Sequence, residues 1–295
     1  MLFRSTLHLR LPKNMQPFRL LRKASAMRAD RKYFPTRRIV SVVDAGVHPA
    51  RCITVAADDG LYVADRFVVT HNSWFGVSGP APRLVLDSEG GSRFTPGRKI
   101  TWDPAAYAPP EAPVDDSWDT CIVTVHNWSV VERVMAWLQS NQHPFRTVVL
   151  DSLTEMQKRV MDQTSGIEQP NQQQWGTVLR VMEDNVRKMR DLITVPGSPV
   201  EAVVMICLSH LRDGVKRPYV KGQLELTLPG FTDVVGYMSL DLDPQTFQPV
   251  RKMTIAPIGG IDAKDRTHVL TQTWGPYITE PNLEQMLQVI DQATA

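Results

Sequence analysis

The chain of 295 residues is predicted to be an α/β protein, a mainly parallel sheet flanked by helices, preceded by a small all-β segment. Three observations predict this. Apolar runs recur downstream of residue 80 and mostly close on a polar residue: Leu84-Val-Leu-Asp87, Thr120 to Val125, Thr147-Val-Val-Leu-Asp151 and Ala202 to Leu208. Continuous apolar strands separated by helices mark a sheet buried on both faces. Between them lies a helical pattern from Gln172 to Leu192, with Trp175, Leu179, Met182, Val186 and Met189 on one face. Upstream, Cys52 to Ala56 and Leu61 to Val69 read as two short strands around a turn at Asp58-Asp59-Gly60.

Taken in order, residues 1–38 form a basic segment. Residues 1–40 hold 11 Lys and Arg against one acid, Asp30, and the rest of the chain carries a formal −8, an asymmetry hidden by the overall +2. Such a segment could bind DNA phosphates. An organelle transit peptide, which is also Arg-rich and acid-poor, and an accidental extension of the reading frame are the alternatives.

Residues 39–72 end in Val68-Val69-Thr70-His71-Asn72, followed by Ser73. An Asn side-chain amide can attack its own carbonyl and release the peptide that follows. A preceding His can protonate the leaving amine, and a following Ser offers a hydroxyl as acyl acceptor. A plain surface turn would use the same residues. The segment resembles the C-terminal end of an intein of the phage type. That resemblance implies that Cys52 is the branching nucleophile, that Thr70 and His71 assist, that Asn72 cyclises and that Ser73 begins the downstream extein. A free Cys in a strand is otherwise a small buried hydrophobe. By the same resemblance residues 1–38 are a homing-endonuclease remnant, and the partner is an N-terminal intein and extein half.

Residues 73–295, about 220 residues, suffice for one sizeable domain. Asp151-Ser152 ends an apolar strand, where an open parallel sheet places its ligand site. No Gly-Lys dipeptide occurs in the chain, so no complete G-x-x-x-x-G-K-[ST] loop is present. Ser73, opening a short helical stretch from Trp74 to Ser78 just before the Asp87 strand, stands where the last residue of that loop belongs.

The domain resembles the RecA-like P-loop ATPases of phages over roughly Ser73 to Gln292. The resemblance rests on the Asp151 strand, on Asp87-Ser88-Glu89-Gly90-Gly91, on Gln173-Gln-Trp-Gly176, on Leu228 to Tyr237 and on Ala263 to Arg266. It implies ATP and Mg²⁺ as cofactors, with Ser73 and Asp151 as metal ligands and Ser152 beside them. It further implies Glu89 as the carboxylate that polarises water, Ser209 and His210 as a polar sensor, and Lys264 and Arg266 as cations reaching a neighbouring subunit. The intein would then interrupt the phosphate loop between Lys and Ser, and the ligated enzyme would be a homo-oligomeric ATPase serving DNA recombination and repair in the bacterial cytoplasm.

Lys216, Arg217, Tyr219 and Lys221 follow the sensor strand and could track single-stranded DNA. A solvated β-hairpin is the alternative there, and a surface turn with Asp262 and Asp265 as partners is the alternative for Lys264 and Arg266. The whole domain has a non-catalytic alternative, an α/β nucleotide- or DNA-binding module with degenerate motifs. The run Asp103 to Pro113 reads as an exposed loop, and Trp102, Trp118, Trp128 and Trp137 as core. No apolar run reaches the ~18 residues of a membrane span, and the three Cys, Cys52, Cys121 and Cys207, show no metal spacing.

Overall fold

The computed structural model describes residues 72–242 and 249–294. The strands expected between residues 39 and 71, with Cys52, Thr70 and His71, and the basic segment lie outside the described residues. Asn72, expected at the end of the all-β segment, opens helix α1, Asn72–Gly76.

Strand β1, Arg83–Asp87, leads through β2, Lys99–Thr101, to β3, Thr120–Thr124. Helix α2, Trp128–Leu138, precedes β4, Thr147–Asp151. Helices α3, Leu153–Ser165, and α4, Gln172–Asp191, precede β5, Ala202–Ile206. The five strands form one parallel sheet in the order β2-β3-β1-β4-β5. The chain winds from β1 to one side through β2 and β3, then crosses to β4 and β5 on the other. The C-terminal ends of β1 and β4 therefore flank the point where winding reverses, which is where open parallel sheets hold ligands.

The strands alternate between two buried faces. Leu84 and Leu86 of β1 and Val148 and Leu150 of β4 join the large core with α2, α3 and α4. Val85 and Val149 point the other way, into a smaller cluster with Val77 and Ile206. Burial on both faces explains why these strands are apolar throughout. Trp102, Trp118 and Trp128 are buried and Trp137 packs edge-on against Trp102 at 4.9 Å, as expected of core residues. The run from Asp103 to Pro113 is a largely exposed loop.

Helix boundaries follow local chemistry. Ser152 caps α3, its hydroxyl accepting the Glu155 N–H, and the helix stops at Gly166, φ +63°. Asn171 and Gln174 form a reciprocal capping box at the start of α4, whose buried stripe is Val178, Met182, Val186 and Met189.

After β5 the chain leaves the parallel pattern. The apolar run does not continue as a strand to Leu208. The Leu208 N–H donates to Thr154 Oγ1 at 3.0 Å, and an antiparallel hairpin of β6, Ser209–Arg212, and β7, Val215–Pro218, follows. Helix α5, Leu224–Phe231, and the short β8, Val234–Val235, lead into β9, Tyr237–Leu242, and β10, Pro249–Thr254. The two-residue β11, Lys264–Asp265, pairs with β8. Helix α6, Val269–Trp274, strand β12, Tyr277–Thr279, and helix α7, Leu283–Thr294, end the described chain. Strands β9, β10 and β12 form an antiparallel sheet that the sequence reading did not anticipate. Its core of Met253, Ile255, Leu270, Ile278 and Met286 packs against Phe75 of α1.

Candidate functional site

Four segments converge at the C-terminal edge of the parallel sheet. Asp151 ends β4 and Asp87 ends β1, in register with each other across the sheet. Both are almost fully buried, at 4% and 3% exposure. The hydroxyl of Ser73, on α1, donates to Asp151 Oδ2. The placement of Ser73 beside the Asp151 carboxylate, expected from the incomplete phosphate loop, is thus what the fold produces.

α1 reaches this position because Gly76 lets it lie directly on the sheet. A Cβ there would come within 2.7 Å of Val149 Cγ1. On the far side, the N–H groups of Leu283 and Glu284 bond to Ser78 Oγ and Ser78 O, tying the residues after α1 to the start of α7.

Asp87 orders the neighbouring loop. It accepts from the backbone N–H groups of Glu89 at 3.0 Å, Gly90 at 2.6 Å and Ser92 at 3.0 Å. Three backbone donors occupy most of its acceptor sites, so it shapes the loop that carries Glu89. Gly90, φ +78°, takes the left-handed turn that lets Gly91 pass beside Ser73. Ser88 closes the gap between the two strands. Its N–H and hydroxyl both bond to Asp151 O, at 2.6 and 3.0 Å, and its Oγ accepts the Ser152 N–H. Glu89 is exposed, and its Oε1 accepts a hydrogen bond from the Ser152 hydroxyl.

Burial pushes the Asp151 carboxyl up to about 6. The Ser73 hydrogen bond opposes the rise, and the nearby Asp87 and Glu89 add to it. A carboxylate that is costly to ionise alone, next to a hydroxyl, suits a small hard dication that supplies the missing positive charge. Among the described residues no group of three or more His, Cys, Asp or Glu could hold a metal ion. Ser73 and Asp151 could together offer two oxygens to such an ion, leaving the rest of its shell to phosphate and water. That donor set fits Mg²⁺, which keeps several waters and is held by one or two protein oxygens plus substrate phosphates.

The remaining candidates sit elsewhere. Ser209 and His210 were expected at the end of the Ala202 strand. They instead open the β6–β7 hairpin, because the strand stops at Ile206. His210 faces the buried Glu225, with Nε2 at 3.2 Å from Oε1, and packs against the Tyr219 ring at 5.1 Å. In the basic stretch, Lys216 and Arg217 lie on β7 of this hairpin and Tyr219 and Lys221 follow it, and the cations have partners within the chain. Lys216 donates to Tyr237 OH at 2.6 Å, Arg217 lies 3.6 Å from Asp262, and Lys221 stands over the Trp175 ring at 5.9 Å. Tyr219 is 41% exposed. Lys264 donates to the Pro229 carbonyl, and Arg266 to Asp233 at 3.1 Å and Gly230 O at 3.0 Å. The expected partners of Lys264 and Arg266, Asp262 and Asp265, are engaged differently. Asp265 binds Thr267 and Thr271, because β11 pairs with β8 and turns both cations toward the end of α5.

Sequence reasoning missed the loop-ordering role of Asp87. Its signal was legible: a strand-end Asp followed by Gly at the third position and Ser at the fifth is a side chain able to cap its own turn. It also missed Thr154, whose hydroxyl fixes the start of the hairpin; nothing local distinguishes that Thr from any other helical one.

Among known families, the AAA domain matches residues 81–267, more than half of the chain. No curated protein matches the sequence. Among the described residues no helix is long and apolar enough to cross a membrane. The chain belongs to the AAA domain family, P-loop domains that generally bind ATP with Mg²⁺.

Proposed function

We propose that this AAA-domain chain is the C-terminal part of a Mg²⁺-dependent ATPase whose phosphate loop is completed by protein splicing between Asn72 and Ser73. The observation that carries the reading is the Ser73 hydroxyl on the Asp151 carboxylate. It supports reading Ser73 as the last residue of a phosphate loop, in a chain with no Gly-Lys dipeptide. The order His71-Asn72-Ser73 supplies the cyclising amide and the acyl acceptor that splicing requires, with Cys52 as branching nucleophile. The partner is then an N-terminal intein half preceded by an extein ending in Gly-Lys, and a phage origin fits that arrangement.

In the ligated enzyme Ser73 and Asp151 hold Mg²⁺ and Glu89 orients the attacking water. When bound, the ion would supply positive charge against the phosphates, with Ser73 and Asp151 holding it. Ser152, bonded to Glu89, keeps that carboxylate at the mouth of the site. The hairpin with Lys216 and Arg217, together with Tyr219 and Lys221 just beyond it, is the surface we assign to single-stranded DNA, in an oligomer acting in recombination or repair. The test is ligation. Mixed with a matching N-terminal half, the chain yields a product that lacks residues 1–72 and hydrolyses ATP. Asn72→Ala stops C-terminal release, and Cys52→Ala stops the first step. A chain that neither cleaves after Asn72 nor ligates to any Gly-Lys-ending extein sinks the splicing reading. A ligated product without Mg²⁺-dependent hydrolysis sinks the ATPase reading.

A further inference from the structure

We propose that Trp74 is the nucleobase platform of the site, stacking the base of a bound nucleotide on its free face while Arg251 backs the other. The inference rests on the nucleotide-binding reading above and names how the non-phosphate end of the ligand is held. Trp74 directly follows Ser73 on α1, so its ring leaves the helix about 100° around from the Ser73 hydroxyl that meets Asp151. It is 43% exposed, unlike the core residues Trp102, Trp118 and Trp128.

Anchoring the helix does not require this ring. The next residue, Phe75, packs against the core of the antiparallel sheet, and Gly76 seats α1 on Val149. What Trp74 does contact is the Arg251 guanidinium, 5.5 Å from its ring centroid. That guanidinium is held in place. Glu280 accepts from Arg251 Nε at 2.8 Å and lies 2.7 Å from its terminal nitrogen, and the same carboxylate accepts the Arg251 N–H at 2.7 Å. A cation fixed behind an indole withdraws charge from its π face. An electron-poor, solvent-facing indole is a favourable stacking partner for an electron-rich purine. Leaving such a ring in water, with a charged pair behind it to fix its plane, is what a base-stacking surface requires.

The experiment compares Mg·ATP with Mg·triphosphate, which lacks base and ribose, as ligands of the full chain. Both are titrated to millimolar concentration so that binding without the phosphate-loop lysine stays measurable. Wild type should prefer ATP by about 10-fold or more, the scale of one base–aromatic stack. Trp74→Ala should remove that preference and leave triphosphate affinity unchanged, while Trp74→Phe should keep most of it. Equal loss for both ligands in Trp74→Ala, or an undiminished preference, overturns the platform and leaves the nucleotide site standing. Failure of wild type to bind either ligand, or triphosphate binding unaffected by Asp151→Asn, overturns the site and the platform with it.

Discussion

Gly76→Ala is expected to unseat the helix that carries Ser73, and the same substitution at Gly176 provides its control. The new methyl at Gly76 would lie 2.7 Å from Val149 Cγ1, 3.3 Å from Cγ2 and 3.6 Å from Ile206 Cδ1. Val149 is 1% exposed and β-branched, so its methyls cannot swing aside without leaving the single comfortable rotamer. Overpacking of this kind costs about 1–3 kcal/mol. Replacing Gly by Ala returns at most ~1 kcal/mol of helix propensity, and less in the last turn of a five-residue helix. The clash therefore wins, with a net loss of roughly 1–2 kcal/mol, a fall in melting temperature of about 2–8 °C for a domain of this size. At Gly176, inside α4, an added methyl meets nothing within 4 Å, and the same change should stabilise by up to ~1 kcal/mol. Thermal unfolding of both variants gives the stability comparison, and Mg²⁺-dependent ATP binding by the first reports whether Ser73 has moved from Asp151. Val149→Ala in the Gly76→Ala background should recover part of the loss, a coupling of about 0.5–3 kcal/mol. If Gly76→Ala is as stable as Gly176→Ala and binds nucleotide normally, α1 does not lie on the sheet as described.

Other outcomes follow from the same geometry. In the ligated enzyme, Glu89→Gln keeps the bond to Ser152 but loses the carboxylate. Turnover measured by phosphate release should fall about 10²–10⁴-fold with ATP binding nearly intact; a wild-type rate would move the search to Glu155. Lys216→Ala with Arg217→Ala should lessen stimulation by single-stranded DNA without changing basal hydrolysis, and unchanged stimulation would remove DNA from the hairpin. Although burial opposes it, hydrogen bonds from Thr267 and Thr271 hold the Asp265 carboxyl below its ordinary value. Its contribution is therefore complete above the unfolded value, about 3.9, and lost as pH falls through the lower folded value. Unfolding curves for Asp265→Asn should show a shallower loss of stability below about pH 4 than wild type, and an identical acid limb would show that Asp265 contributes nothing.

The centre of the parallel sheet was legible because β1, β3 and β4 are buried on both faces and so carry apolar runs, whereas the short edge strand β2, Lys99–Thr101, is only partly buried and gave no such signal. Ser73 was expected near Asp151 because a hydroxyl opening a short helix just before the first buried strand, in a chain with no Gly-Lys dipeptide, resembles the end of a phosphate loop, and the two side chains do meet. The antiparallel sheet was hidden. Tyr237-Met-Ser-Leu-Asp-Leu242 does alternate at period two, but its strand partners and its packing near Phe75, more than 150 residues away in sequence, are not local. The partners of the cations were hidden too. Arg217 meets Asp262 and Arg266 meets Asp233 only after β11 has paired with β8, and no local pattern encodes that pairing.

On the proposed splicing reading, the burial of Ser73 sets the order of events at the junction. At 7% exposure, with its hydroxyl committed to Asp151, Ser73 is a poor acyl acceptor in the folded domain. Splicing must therefore use a state in which α1 is not yet seated, or must break that hydrogen bond. A hydrogen bond to a charged group is worth about 1.5–3 kcal/mol, which would hold back the free hydroxyl by roughly 10- to 100-fold. Asp151→Ala should consequently speed ligation at Ser73, up to that factor, while abolishing Mg²⁺-dependent nucleotide binding in the product. The two effects have opposite signs, so general misfolding cannot produce both. Ligation kinetics followed by gel, with nucleotide binding measured on the purified product, would decide. If Asp151→Ala slows ligation instead, Asp151 assists the acyl transfer as a base, and the hydroxyl is activated by the same contact that holds it in the folded domain.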